Sequence, residues 1–298
     1  MASTGANRTR LSILVFLVLT FSFSSVFYRL IIHNGSLGTH GGLFVLCLMW
    51  SPGAAGLITR LIFQGNLRGH GFRWGKTKYQ AASYLIPLAY AAVVYVPLWI
   101  AGFANFHAPE IARLTQKFGM HSSVASYFLL LATIGMAQSC TSALGEELGW
   151  RGFLVPQLAK IMPFGGVALT SGIIWSLWHY PLILTANYHG AGPTWYSLIC
   201  FTVMVIGIAF LFAWMRLKSA SVWTGMFLHA SHNIFIQGFF DPLTRPASVT
   251  NYMIGEFGAG LAIVAVVIAA ICYKKRVELP QSRMAESTAA AAPAPKMA

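Results

Sequence analysis

WYSLICFTVMVIGIAFLFAWM, residues 195–215, runs for 21 residues without a charged side chain, and Arg216 and Lys218 follow it directly. An apolar stretch of about 20 residues spans the hydrocarbon of a bilayer as an α-helix. Similar runs recur along the chain, near 11–32, 43–63, 79–103, 124–148, 164–184, 219–239 and 252–273. With 56% of residues hydrophobic and only 9% charged, a soluble domain is excluded. The pattern predicts an all-α, polytopic membrane protein with about eight transmembrane helices.

Basic residues set the expected orientation, because short cytoplasmic loops collect them. Arg8 and Arg10 precede the first span, and Arg60, Arg68, Arg73, Lys76 and Lys78 lie at or between the second and third. Arg151, Lys160, Arg216, Lys218 and the cluster after span eight fall on the same side, leaving only Arg29, Arg113, Lys117 and Arg245 opposite. Eight spans with both termini cytoplasmic satisfy this asymmetry. The net charge of +13 is spread over those inner loops, which suits anionic lipid head groups and not a nucleic-acid surface. The bilayer is therefore an expected partner and nucleic acid is not. The first apolar run is longer than the roughly 7–15 residues of a signal peptide and reads as a retained span. Cys47, Cys140, Cys200 and Cys272 fall in four different spans, so neither a disulfide framework nor a thiolate metal site is indicated.

Five polar side chains interrupt these apolar segments: Glu146, Glu147, His179, His229 and Asn233. Ionisable groups at membrane depth mark function by default. In GEELGWRGF, residues 145–153, Glu147 and Arg151 share a helix face at i,i+4, while Glu146 points about 100° away. Glu147 and Arg151 are therefore expected to form a structural clamp, leaving Glu146 as a carboxylate able to act as a general base. In IIWSLWHYPL, residues 173–182, His179 stands one turn after Trp175 and two residues before Pro181, a residue that removes a backbone donor and opens space. In FLHASHNIF, residues 227–235, His229 and Asn233 share a face and suit donation of two hydrogen bonds to one developing oxyanion. His232 is read as rotated away from His229. Glu256, near the start of the last span, is read as a capping or interfacial group.

The pattern EExxxR, then aromatic-xxx-His, then HxxxN resembles the CPBP family of intramembrane proteases, the type II CAAX prenyl endopeptidases and bacteriocin-processing proteins. The resemblance extends from about Ala143 to Phe235. By position it implies Glu146, His179, His229 and Asn233 as catalytic residues and Glu147, Arg151 and Trp175 as their support. Trp175 stands where the family more often has Phe. The resemblance also implies an eight-helix core opening a cavity toward the cytoplasm. The chain then divides into a cytoplasmic N-terminal tail (1–10), a variable region of spans one to three (11–123), a protease-like core (124–240), a final span (241–276) and a disordered cytoplasmic tail (277–298).

Two mechanisms suit these residue types. In the favoured one, Glu146 and His179 activate water, His229 and Asn233 stabilise the oxyanion, and no cofactor is needed. In the other, Glu146, His179 and His229 ligate zinc. Asn233 decides the preference, since an amide is a poor zinc ligand and a good oxyanion donor. The expected substrate is a membrane-associated protein or peptide, prenylated or not, and the expected location is a bacterial plasma membrane. Two non-catalytic readings stand beside these, a bacteriocin-immunity binder and a transporter or proton relay. One geometric demand remains: at about 1.5 Å per residue, His179 lies about 22 Å into a helix starting at 164, whereas Glu146 lies near the end of its own. Either the fifth span starts near 170 or the fourth continues past 148.

Overall fold

A computed structural model of the chain describes residues 2–34, 41–106, 111, 115–246 and 250–280. The expectation of a disordered tail concerns residues that, from 281 on, lie outside this set. So do residues 35–40, between the first and second spans, and residues 107–110 and 112–114, between the third and fourth.

Among the described residues six helices are long and apolar enough to cross a membrane, and the protein is a multi-pass membrane protein. They are α1 (Ala2–His33), α2 (Gly41–Gln64), α3 (Thr77–Ile100), α4 (Val124–Leu158), α5 (Phe164–Thr185) and α6 (Thr194–Ser219). The expected spans seven and eight are also helical but shorter. Helix α7 runs over Trp223–His232 and continues as a π-helix over Asn233–Phe240, and α8 covers Ala259–Lys274. Two three-residue strands, β1 (Ala104–Phe106) and β2 (Thr244–Pro246), pair antiparallel at the end of the bundle that carries few basic residues.

Helix α6 is the most enclosed of the six, packing against both α5 and α8. Its apolar composition on every side follows from that position, because it meets protein where other helices meet lipid. Outer helices instead leave side chains such as Leu14, Val18, Leu61, Ile62 and Val93 exposed for the hydrocarbon. The first helix begins at Ala2, so Arg8 and Arg10 stand on its opening turns and the expected N-terminal tail is helical. The last helix starts seven residues later than expected, and residues 253–258 form an irregular loop carrying Glu256.

The fourth helix meets the geometric demand by its length. It continues to Leu158, ten residues past its expected end, with π-helical turns at Leu131–Gly135 and Leu148–Leu154. Helix α5 starts at Phe164, as the apolar pattern predicts, and runs on through Pro181. In a π-turn the backbone bonds shift from i,i+4 to i,i+5, and such turns recur at functional sites. The Leu148 carbonyl at the start of the second one bonds to His70 Nε2 at 2.9 Å. Burial, reinforced by the charge on Arg60, pushes the His70 imidazole down to about 4, so it stays neutral in this contact.

Close approach of α2 and α4 holds the carboxylate-bearing turn in place. Gly145 and Gly149 form a GxxxG pair on α4 and pack directly on Met49, Trp50 and Pro52 of α2. A Cβ added at Gly149 would stand 2.5 Å from Pro52 backbone and side-chain atoms. Gly149→Ala is expected to destabilise the bundle by about 1–3 kcal/mol through overpacking. Gly42→Ala, where an added Cβ meets nothing within 4 Å, is expected to leave stability unchanged or slightly raised. Thermal unfolding of the two variants in detergent checks this, and equal midpoints would contradict the close packing.

Candidate active site

The site is built where α4, α5 and α7 converge. Glu146 and Glu147 are both buried, at 1% and 0% exposure, and point into different surroundings as their 100° offset requires. Glu147 Oε1 accepts from Arg151 Nη1 at 2.8 Å and from His229 Nδ1 at 3.0 Å. The Arg151 guanidinium lies over the rings of both Trp175 and Phe212, with centroids at 4.1 and 4.0 Å. Gly225 leaves room for Glu147, since a Cβ there would meet its Oε2. The clamp expected of Glu147 and Arg151 is present, and it extends to His229.

Glu146 Oε2 accepts hydrogen bonds from two indoles, Trp175 Nε1 at 2.8 Å and Trp150 Nε1 at 3.2 Å. Among the described residues no hydrogen bond occupies Oε1, on a side chain that lines a cavity of about 290 Å³. The tryptophan standing where the family more often has phenylalanine thus acts as a donor to the carboxylate, a role phenylalanine lacks. His179 Nδ1 lies 2.9 Å from the Trp175 carbonyl. A carbonyl only accepts, so Nδ1 carries the proton and Nε2 is left unprotonated in the neutral ring. Trp178, edge-on to His179 at 4.8 Å, is anchored to α1 through Ser24 Oγ at 2.8 Å and through Tyr28, which donates to its carbonyl.

All four residues expected to be catalytic, Glu146, His179, His229 and Asn233, line that one cavity. The part of its wall supplied by α2 and α6 is apolar, with Leu48 and Met49 from α2 and Met204, Val205, Ile208 and Phe212 from α6. Among the described residues no three His, Cys, Asp or Glu side chains are gathered closely enough to hold one ion. Glu146, His179 and His229 share the cavity without forming a ligand set.

A second polar group in the same cavity departs from the sequence reading. His232 is not rotated away: three residues amount to 300°, which leaves it a near neighbour of His229 on the helix face. Its Nε2 bonds to Glu256 Oε1 at 2.7 Å, and its Nδ1 bonds to the Tyr90 hydroxyl. Glu256 Oε2 accepts from the Tyr188 hydroxyl at 2.8 Å. Glu256 is therefore a buried, cavity-lining carboxylate and not an interfacial cap. The irregular loop before α8 carries it into the cavity wall. Gln237 also reaches the cavity, one turn of π-helix beyond Asn233. The sequence signal for this group is Glu256 itself, an acid in an apolar region.

These features coincide with a match to known proteins. Residues 125–235 match the Rce1-like family of type II CAAX prenyl endopeptidases. The matched segment runs from the start of α4 into the π-helical part of α7 and contains all seven residues expected to be catalytic or supporting. The chain is also similar to the CAAX prenyl protease 2 of Methanococcus maripaludis, at 34% identity over 82 residues. That similarity covers 26% of this chain and 30% of the relative's length.

Removing one partner of a buried ion pair strands the other in a low-dielectric site. Glu147→Ala is expected to cost about 3–5 kcal/mol through the unpaired Arg151, and the double variant Glu147→Leu with Arg151→Met to recover most of it. Unfolding midpoints in detergent report both, and a single variant as stable as the parent would overturn the clamp.

Proposed function

We propose that the protein is an intramembrane endopeptidase that hydrolyses a peptide bond in a membrane-associated protein or peptide. The observation that carries this reading is the convergence of Glu146, His179, His229 and Asn233 on one largely apolar cavity. Such a cavity excludes bulk water, and fixed dipoles inside it act more strongly on developing charge than they would in water.

The roles follow from hydrogen-bonding capacity. The two indoles hold Glu146 through Oε2, leaving Oε1 to accept a proton from a water molecule. His179 accepts the second water hydrogen through Nε2 and orients the lone pair toward the scissile carbonyl. The water oxygen bonds to the carbonyl carbon, and the carbonyl oxygen takes the negative charge. Asn233 donates to that oxygen through its amide and His229 through Nε2. Since His229 Nδ1 faces Glu147, donation from Nε2 uses the doubly protonated ring, whose charge the Glu147 carboxylate balances. Collapse of the tetrahedral species breaks the C–N bond, and Glu146 returns its proton to the leaving amine. Every step uses groups of this chain, and none is routed through a metal.

The apolar wall from α2 and α6 favours a substrate with a hydrocarbon or strongly apolar segment beside the scissile bond. A prenylated C-terminal peptide is the first substrate to try, given the names of the matched family and of the archaeal relative. A bacterial plasma membrane remains the proposed location, with both termini on its cytoplasmic side.

Cleavage of a quenched fluorescent prenyl-peptide library by the detergent-purified protein tests the proposal. Glu146→Gln and Asn233→Ala are each expected to lower kcat/KM by about two to three orders of magnitude with the fold intact. Activity is expected to survive exhaustive chelation. Unchanged cleavage in Glu146→Gln would reassign the base, and complete loss on chelation restored by stoichiometric zinc would favour the metal scheme.

A further inference from the structure

A second recess lies away from the active site, between the first turns of α1, the last turn of α2 with the connection after it, and the end of α4. Its volume is about 590 Å³, and among the described residues Arg8, Arg60, Arg68 and Lys160 line it with no carboxylate beside them. Four cations sharing a recess repel one another unless an anion sits among them. The crowding is visible at Lys160, whose ammonium is pushed below its ordinary value by burial and then by the charge on Arg60. Two donors there, Arg60 Nε and Gln157 Nε2, are buried and without a hydrogen-bond partner among the described residues. The neighbouring Gln157 Oε1, by contrast, is taken by Lys160 Nζ at 2.8 Å. Buried polar atoms are rarely left unpaired, and Gln64 Oε1 in the same lining is a third such atom, so the protein alone leaves the polar groups around this recess unsatisfied.

We propose that this recess binds a phosphate group, and that in the membrane its occupant is the headgroup of an anionic phospholipid. Guanidinium forks match the paired oxygens of a phosphate, and Gln157 supplies a neutral donor. The recess sits where helices cross from lipid to water. One turn beyond Arg8 the exposed side chains become Leu11 and Leu14, and beside Arg60 they are Leu61 and Ile62, a surface suited to acyl chains. Basic pockets between helices at this level bind lipid head groups by the same chemistry. A free phosphate or pyrophosphate offers the same oxygens.

The full-length protein in phosphatidylcholine nanodiscs, with and without phosphatidylglycerol, separates the sources. Phosphatidylglycerol is expected to raise the thermal midpoint and to remain bound in native mass spectra. Arg60→Gln and Lys160→Gln together are expected to lower its retention about tenfold or more, while Lys274→Gln, outside the recess, leaves it unchanged. Arg60→Lys, which keeps the charge, guards against simple misfolding and should retain the lipid far better than Arg60→Gln. Inorganic pyrophosphate that raises the midpoint in pure phosphatidylcholine discs and displaces phosphatidylglycerol would support the phosphate site with a soluble occupant. No response to either anion, or equal loss in the recess variants and in Lys274→Gln, would overturn it.

Discussion

The Glu147 carboxylate, with 0% of the residue exposed, is the constraint on which the site depends. A charge so far from water persists only with partners, and Arg151 and His229 supply them from α4 and α7. One oxygen thereby ties a guanidinium packed over two aromatic rings to an imidazole on another helix. The pairing fixes which His229 nitrogen faces the cavity. It also leaves Glu146, one residue earlier and 100° around the helix, directed into that cavity. Adjacent glutamates thus face different surroundings from helical geometry alone: one is clamped by Arg151 and His229, and the other lines the cavity.

Around that frame the membrane sets what the remaining polar groups can do. Each must find a partner, because lipid offers none. Indoles of Trp150 and Trp175 serve Glu146, the Trp175 carbonyl serves His179, and Tyr188 and His232 serve Glu256. Glu256, His232 and Tyr90 form a hydrogen-bonded chain along one side of the same cavity, with Tyr188 packed near His179. The result is a pocket with two carboxylates in unlike settings, one held by donors that carry no charge and one held by an imidazole. Small residues make the arrangement possible: Gly145 and Gly149 let α4 approach α2, and Gly225 makes room for Glu147.

Most of this site was legible in the sequence because its motifs have short spacings. Glu147 with Arg151, and His229 with Asn233, are i,i+4 pairs, and helical periodicity alone places each pair on one face. The helical, membrane-spanning character was equally plain from uncharged runs such as 195–215. What stayed hidden depends on irregular backbone. The continuation of α4 to Leu158 passes through a π-turn that apolar periodicity does not mark, and this continuation is what brings Glu146 level with His179. Glu256 reaches the cavity from a loop, where no period applies. His232 was within reach of sequence reasoning, since an i,i+3 neighbour of His229 is close enough to share its cavity.

The central claim is that Glu146, His179, His229 and Asn233 surround one reacting centre. A structure of the protein with a peptide phosphinate, whose tetrahedral phosphorus carries two oxygens, measures this most directly. One phosphinyl oxygen is predicted within hydrogen-bond distance of both His229 Nε2 and Asn233, and the other within reach of Glu146 and His179. A phosphinate bound outside this cavity, or a Glu146 carboxylate turned to lipid and beyond reach of both imidazoles, would contradict the account.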